Sequence, residues 1–169
     1  EKVIEKIKEI EYKGYQFEGA DASFELLIRK QLGTYRPFFS LEKFKTIGEQ
    51  RAGEDFAPAT AVVKVRVNGE AEITAAEGNG PVNALDKALR KALARFYPAL
   101  AAYKLTDYKV RILDGKETSS AVTRVLVEGS DTKNVWTTVG VSRDIIEASL
   151  IALTDALEYK LIRDEEISG

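Results

Sequence analysis

Residues 59–70 read ATAVVKVRVNGE, and on this stretch the fold turns. Val63, Val65 and Val67 alternate with Lys64 and Arg66, the two-residue period of a β-strand with one buried face and one wet face. The pattern returns in AVTRVLVEG, residues 121–129. Ala61-Val62-x-Lys64-Val65-x-Val67-x-Gly69 matches Ala121-Val122-x-Arg124-Val125-x-Val127-x-Gly129 at a spacing of 60. The surroundings repeat as well. LEKFKTIGE (41–49) reads as a strand before the first copy, and a short strand around Glu72 to Ala76 follows it. Leu85, Leu89, Ala92, Leu93 and Phe96 then mark a helix that ends near Pro98. Around the second copy the order is YKLTDYKVRIL (103–113), AVTRVLVEG, VWTTVGV (135–141) and a closing helix carrying Ile146, Leu150, Leu153 and Leu157. The helix faces align at 61, Leu85 with Ile146 and Leu89 with Leu150.

Two βββα units follow from this repeat. Each is too small to bury its own sheet face well, so the pair is expected to pack about a pseudo-twofold axis in an α+β fold, with helices on one sheet face. Upstream, EKVIEKIKEIEY (1–12) sets Val3, Ile4, Ile7 and Ile10 at helical spacing. GADASFELLIRKQLG (19–33) reads as a second helix, with Asp21 as cap, Phe24, Leu27 and Ile28 on one face and Gly33 at the end. The expected organisation is a helical linker subdomain over 1–38 and a main domain over 39–169, its units spanning about 39–98 and 102–163.

Composition removes several function classes. The chain has 169 residues with no cysteine and no histidine, so it has no thiolate nucleophile, no Cys-ligated zinc, and neither the commonest neutral-pH base nor the commonest metal ligand. Most hydrolase and metalloenzyme readings are thereby weakened, no metal site or catalytic residue is assigned, and a reducing, cytoplasmic setting is allowed. Twenty-five basic residues face 27 acidic ones, with no basic run interleaved with aromatics, so nucleic acid is a poor partner. No apolar run approaches the ~20 residues of a membrane span. The chain starts at Glu1 and holds no methionine, which marks it as an expected fragment or processed product.

The junction from strand to helix in the first unit reads AAEGNGPVNALDKAL, residues 75–89. Two readings stand. In one, Gly78 supplies a positive φ, Gly80 caps and Pro81 takes the first helical position, making a plain turn. In the other, the free amides and partial positive charge of the helix N-terminus receive a carboxylate or phosphate. Nucleotide motifs fail here: no Gly-Lys-Ser/Thr follows, and Asn83 replaces the third glycine of G-x-G-x-x-G. In the second unit the matching loop is Gly140-Val141-Ser142-Arg143-Asp144, with Ser142 or Asp144 available as cap.

These residues resemble a known family. Gly78-Asn79-Gly80-Pro81-Val82-Asn83-Ala84 and the stretch from Gly140 to Ser149 look like the C-terminal regulatory, allosteric dimerisation domain of the isopropylmalate and citramalate synthases. GYQFEGADASFELLIRK (14–30) is similar to the linker subdomain of the citramalate branch. The resemblance implies a homodimer that binds the pathway's end-product amino acid and lowers activity in a catalytic TIM barrel of the parent chain. That barrel condenses acetyl-CoA with a 2-oxo acid, pyruvate in the citramalate branch, using a divalent metal held outside this fragment. The implied effector is isoleucine for the citramalate branch and leucine for the isopropylmalate branch. By the same resemblance, its polar end meets Gly78, Asn79 and Gly80, with Val82 and Asn83 beside it; the family often has an acid where Asn83 stands. Its hydrocarbon end meets Leu105, Tyr108, Ile112 and Val122, and Val141 and Arg143 close the pocket. Gly14 and the loop from Arg51 to Pro58 are the expected flexible points.

Three other classes compete. A free-standing amino-acid sensor of the ACT type runs βαββαβ, whereas three strands precede each helix here. A carboxylate enzyme would draw on Glu77, Asp107 or Asp114, which no motif pairs. A pure dimerising module leaves the two junction loops without a role.

Overall fold

The computed structural model describes residues 1–49, 52–55, 58–113 and 121–168. Asp114, Arg51 and part of the loop from Arg51 to Pro58 lie outside these described residues. The chain forms two compact units, residues 37–101 and residues 1–36 with 102–169.

In the unit 37–101, β1 (Ser40–Gly48), β2 (Ala59–Val67) and β3 (Glu70–Gly78) form an antiparallel sheet in the order β1-β2-β3, followed by α3 (Pro81–Ala94). The alternation of β2 holds: Ala59, Ala61, Val63, Val65 and Val67 are buried, while Lys64 and Arg66 are half-exposed. Asn68 and Gly69, both at positive φ, make the two-residue turn into β3 that suits the right-handed twist of paired strands. Helix α3 buries Ala84, Leu85, Ala88, Leu89, Ala92 and Leu93 completely. Each of its three leucines contributes about 1.5–3 kcal/mol of apolar burial. The alanines between them let the helix lie close to the sheet, and Thr74 Oγ1 donates to the Ala88 carbonyl at 2.7 Å.

In the other unit, β4 (Lys104–Leu113), β5 (Val122–Ser130) and β6 (Val135–Ser142) form a second antiparallel sheet in the order β4-β5-β6, followed by α4 (Ile145–Ser168). The contact between helix and third strand is the same: Thr138 Oγ1 donates to the Ala152 carbonyl at 2.7 Å. Thr138 stands 64 residues after Thr74, and Ala152 stands 64 after Ala88. The β-bulges fall between Leu41 and Lys43 and between Leu105 and Asp107, again 64 apart. The third-strand pairings Val63↔Thr74 and Val127↔Thr138 agree, as do the helix starts Pro81 and Ile145.

The two βββα units are therefore present, but the repeat runs at a constant 64, not at 60 in the strand and 61 in the helix. Val63 corresponds to Val127, Leu85 to Ser149 and Leu89 to Leu153. A four-residue slip in a strand keeps inward residues inward, and a three-residue slip in a helix stays on one face. Hydropathy alone accepts either register; the hydrogen bonds fix one.

The N-terminal arm, α1 (Lys2–Tyr12) and α2 (Asp21–Gln31), belongs to this second unit. Asp21 does not cap α2; it is the first helical residue, after Ala20. The buried face of α2 is Ala22, Ser23 and Leu26, with Phe24 exposed, because the helix rests on the edge strand β6 and on α4 through its small residues. Ser23 Oγ accepts the Val139 N–H at 2.9 Å, covering a backbone group that β6 would otherwise leave open to another strand. Between α1 and α2 the chain crosses the sheet face opposite α4. There Arg124, which is buried, donates to the carbonyls of Gln16 and Glu18. Gly14 (φ +103°) sits against Leu113, Val122 and Val141. Among the described residues no helix is long and apolar enough to cross a membrane.

Gly140 measures how close α4 comes to β6, since a Cβ there would lie 1.9 Å from the Ala148 carbonyl oxygen. We predict that Gly140→Ala costs about 3 kcal/mol or more, read as a lower urea midpoint with unchanged slope.

Candidate functional site

The two strand-to-helix junctions occupy the same place in the two units but differ in chemistry. In the first, Gly78 ends β3 and is buried. A Cβ on it would lie 2.5 Å from both the Ala84 nitrogen and Asn83 Oδ1, so the residue must be glycine for space, not for a positive φ. Gly80 is the N-cap, as expected, with an extended backbone (φ 167°) and open space around it; the positive φ expected at Gly78 is absent. Pro81 takes the first helical position as expected. Asn83 turns back so that its Oδ1 accepts the Asn79 N–H at 3.1 Å, while Val82, half-buried, continues the first turn. No side chain caps α3, and no acidic residue stands in its first turn.

The second junction is closed by its own side chains. Asp144, the counterpart of Gly80, accepts the N–H groups of Ile146 (2.7 Å) and Glu147 (3.1 Å) on Oδ1. Ser142 Oγ accepts the Asp144 N–H and donates to Glu147 Oε2, both at 3.1 Å. The free amides and positive end of α4 thus already hold a carboxylate, with a second in the same turn. One fold element appears twice, once with its anion supplied by the chain and once with that place left to glycine.

The remaining candidates lie on the second unit's sheet, which divides them. Leu105, Tyr108 and Ile112 line the face toward α4, opposite Gly129, Val127 and Thr123. Tyr108 is half-buried and its hydroxyl is 2.8 Å from Ser149 Oγ. The single Ser149 proton goes to the Ile145 carbonyl at 2.6 Å, so Tyr108 is the donor of that pair. The phenol thus has a polar partner inside the protein. Ile112 is 66 % exposed. Val122 and Val141 point to the opposite face, where Gly14 covers them and the Tyr15 hydroxyl meets the Val141 backbone. Arg143 is exposed between Ser142 and Asp144.

Sequence reasoning passed over Ser23 and Asp155. Asp155 Oδ2 accepts the Ser23 hydroxyl at 3.1 Å, and burial pushes the Asp155 carboxyl up to about 6 against the opposing pull of Lys30. The available signal was a pair of polar residues within two otherwise apolar helix faces. Among the described residues, no cluster of acidic side chains is placed to hold a metal ion.

Similarity to known proteins extends over the whole chain. It is 54 % identical to the (R)-citramalate synthase of Geobacter sulfurreducens over 167 residues, covering 99 % of this chain and 32 % of that protein. It is 48 % identical to the (R)-citramalate synthase of Aquifex aeolicus, covering 98 % and 31 %. The 2-isopropylmalate synthase of Aquifex aeolicus is 33 % identical, with 99 % and 30 % covered. The chain spans about a third of the length of these curated relatives. The family profile of the LeuA allosteric (dimerisation) domain matches residues 18–161. The chain therefore belongs to the LeuA allosteric (dimerisation) domain family.

Proposed function

We propose that this chain is the feedback-regulatory and dimerisation domain of a citramalate synthase, and that it binds isoleucine through the N-terminus of α3. The observation that carries the reading is the contrast between the junctions: Asp144 fills the start of α4, whereas Gly80 leaves the start of α3 without a side-chain cap. A free amino acid brings the carboxylate that the first junction lacks, and the amides of Gly80, Val82 and Asn83 are its donors. The branch assignment is supported by the 54 % and 48 % identity to the citramalate synthases of Geobacter sulfurreducens and Aquifex aeolicus against 33 % to the 2-isopropylmalate synthase. In this reading the parent chain carries a catalytic barrel that joins acetyl-CoA to pyruvate with a divalent metal, and two copies of the regulatory domain pair as a homodimer. Inhibition requires that isoleucine bind one of two states of the assembly more tightly than the other.

Isothermal titration of the chain with isoleucine, leucine and valine, with its mass in solution measured alongside, tests the proposal. Saturable binding is expected in a dimer, tightest for isoleucine. A leucine preference moves the chain to the isopropylmalate branch, and no binding by any of the three contradicts an effector role.

Two variants locate the site. Gly80→Asp meets open space and an extended backbone, so it is expected to fold, place its own carboxylate as Asp144 does and lower isoleucine affinity at least about tenfold. Unchanged affinity would contradict the assignment. Asp144→Ala is expected to cost about 1 kcal/mol of stability in chemical denaturation, by removing an N-cap.

A further inference from the structure

A cavity between the N-terminal arm and α4, lined by no residue of the α3 junction, has a volume of about 270 Å³. This is far more than the roughly 10–15 Å³ one water needs, and just under the ~300–1,000 Å³ of pockets that take drug-sized ligands. Its size suits a small metabolite. Ile10, Phe17, Leu27 and Ile151 give it apolar walls. On its wall Asp155, half-buried, is held by the Ser23 hydroxyl through Oδ2, while Oδ1 takes no hydrogen bond from any described residue and faces solvent.

Lys13 and Lys30 line the exposed side of the cavity, yet neither is ion-paired with Asp155. Lys13 binds Glu9 at 2.9 Å, and Lys30 lies over the Tyr35 ring, 4.8 Å from its centroid. A half-buried carboxylate beside apolar walls with no ion-pair partner favours a bound cation. Two lysines at the opening disfavour a bare cation and complement a second, negative group. Acid within, hydrocarbon around and ammonium groups at the mouth together describe a zwitterion with an aliphatic body.

We propose that this cavity is a second ligand site, for an amino acid with an aliphatic side chain, its ammonium on Asp155, its carboxylate toward Lys30 and its hydrocarbon against Ile10, Leu27 and Ile151. The site lies wholly within one unit and is independent of the α3 junction. A ligand there clasps the arm to α4.

The test uses the ¹⁵N-labelled chain carrying Gly80→Asp, so that the α3 junction is blocked, and follows the backbone amides of Ser23, Leu27 and Ile151. The probes are leucine, 3-methylbutylamine, which lacks the carboxylate, and 4-methylpentanoate, which lacks the amine. Leucine is expected to shift these amides saturably, and each truncated probe to bind at least about tenfold more weakly. Asp155→Asn is expected to weaken leucine roughly ten- to a hundredfold.

Because burial holds the Asp155 carboxyl at about 6, leucine binding should fall about tenfold per pH unit below that value, as the carboxylate that holds the ammonium becomes protonated. The other titratable groups facing Asp155 are Lys13, Lys30, Tyr15 and Tyr35, and both tyrosines are pushed upward by burial, away from this range. The pH series reads the same contact in the unsubstituted side chain should Asp155→Asn fail to fold. No saturable shift with leucine, equal binding of 4-methylpentanoate, or binding unaffected by pH from 7 to 5 would overturn the site. Equal binding of the amine would overturn the zwitterion assignment. Shifts at Gly80, Val82 and Asn83 in the chain without Gly80→Asp report the α3 junction separately.

Discussion

The close seating of each helix on its third strand is the constraint on which the rest depends. A strand threonine reaches a helix carbonyl at 2.7 Å in both units, Thr74 to Ala88 and Thr138 to Ala152. Such a contact needs small residues between the two surfaces. Alanines supply it along α3 and α4, and Gly140 does so where a Cβ would collide with the backbone of α4. Given that seating, the start of each helix is placed relative to the end of its strand, and the two residues between them have little freedom. The geometry is common to both units, so what differs between them is side-chain chemistry at a fixed position.

On that difference the proposed regulatory role rests. At the start of α4, Asp144 and Glu147 meet the helix's positive end with charge from the chain. At the start of α3, glycine and asparagine stand in the same places. A helix start of this kind is ordinary when capped; when its cap is a glycine with space around it, the complementary anion can come from outside. The proposal that isoleucine supplies it joins this local asymmetry to the family membership. The proposal for the Asp155 cavity is the converse, a half-buried carboxylate without an ion-pair partner that takes its complement from a ligand.

Much of this was legible in the sequence. The alternation of Val63, Val65 and Val67, the leucine stripes and the strand-strand-strand-helix order lead directly to the observed elements. The repeat spacing was misread because 60 and 64 put the same β2 residues inward, and 61 and 64 share a helix face. Only long-range contacts such as Thr138 to Ala152 separate them. The role of Gly78 was also misassigned, since a glycine required by a neighbour's backbone looks no different in sequence from one required by its own φ. Ser23 and Asp155 stayed hidden for a related reason: their pairing joins residues 132 positions apart. Tyr108, expected at the effector's hydrocarbon end, has its hydroxyl on Ser149 within the same unit.

The most direct test of the central claim is a comparison of the two helix starts in one experiment. Isoleucine is titrated into the ¹⁵N-labelled chain while the amides of Gly80, Val82 and Asn83 are followed beside those of Ile146 and Glu147. The account predicts saturable shifts at the first three and none at the last two, whose amides Asp144 already holds. Equal shifts at both helix starts, or saturation elsewhere with the α3 amides unmoved, would contradict it.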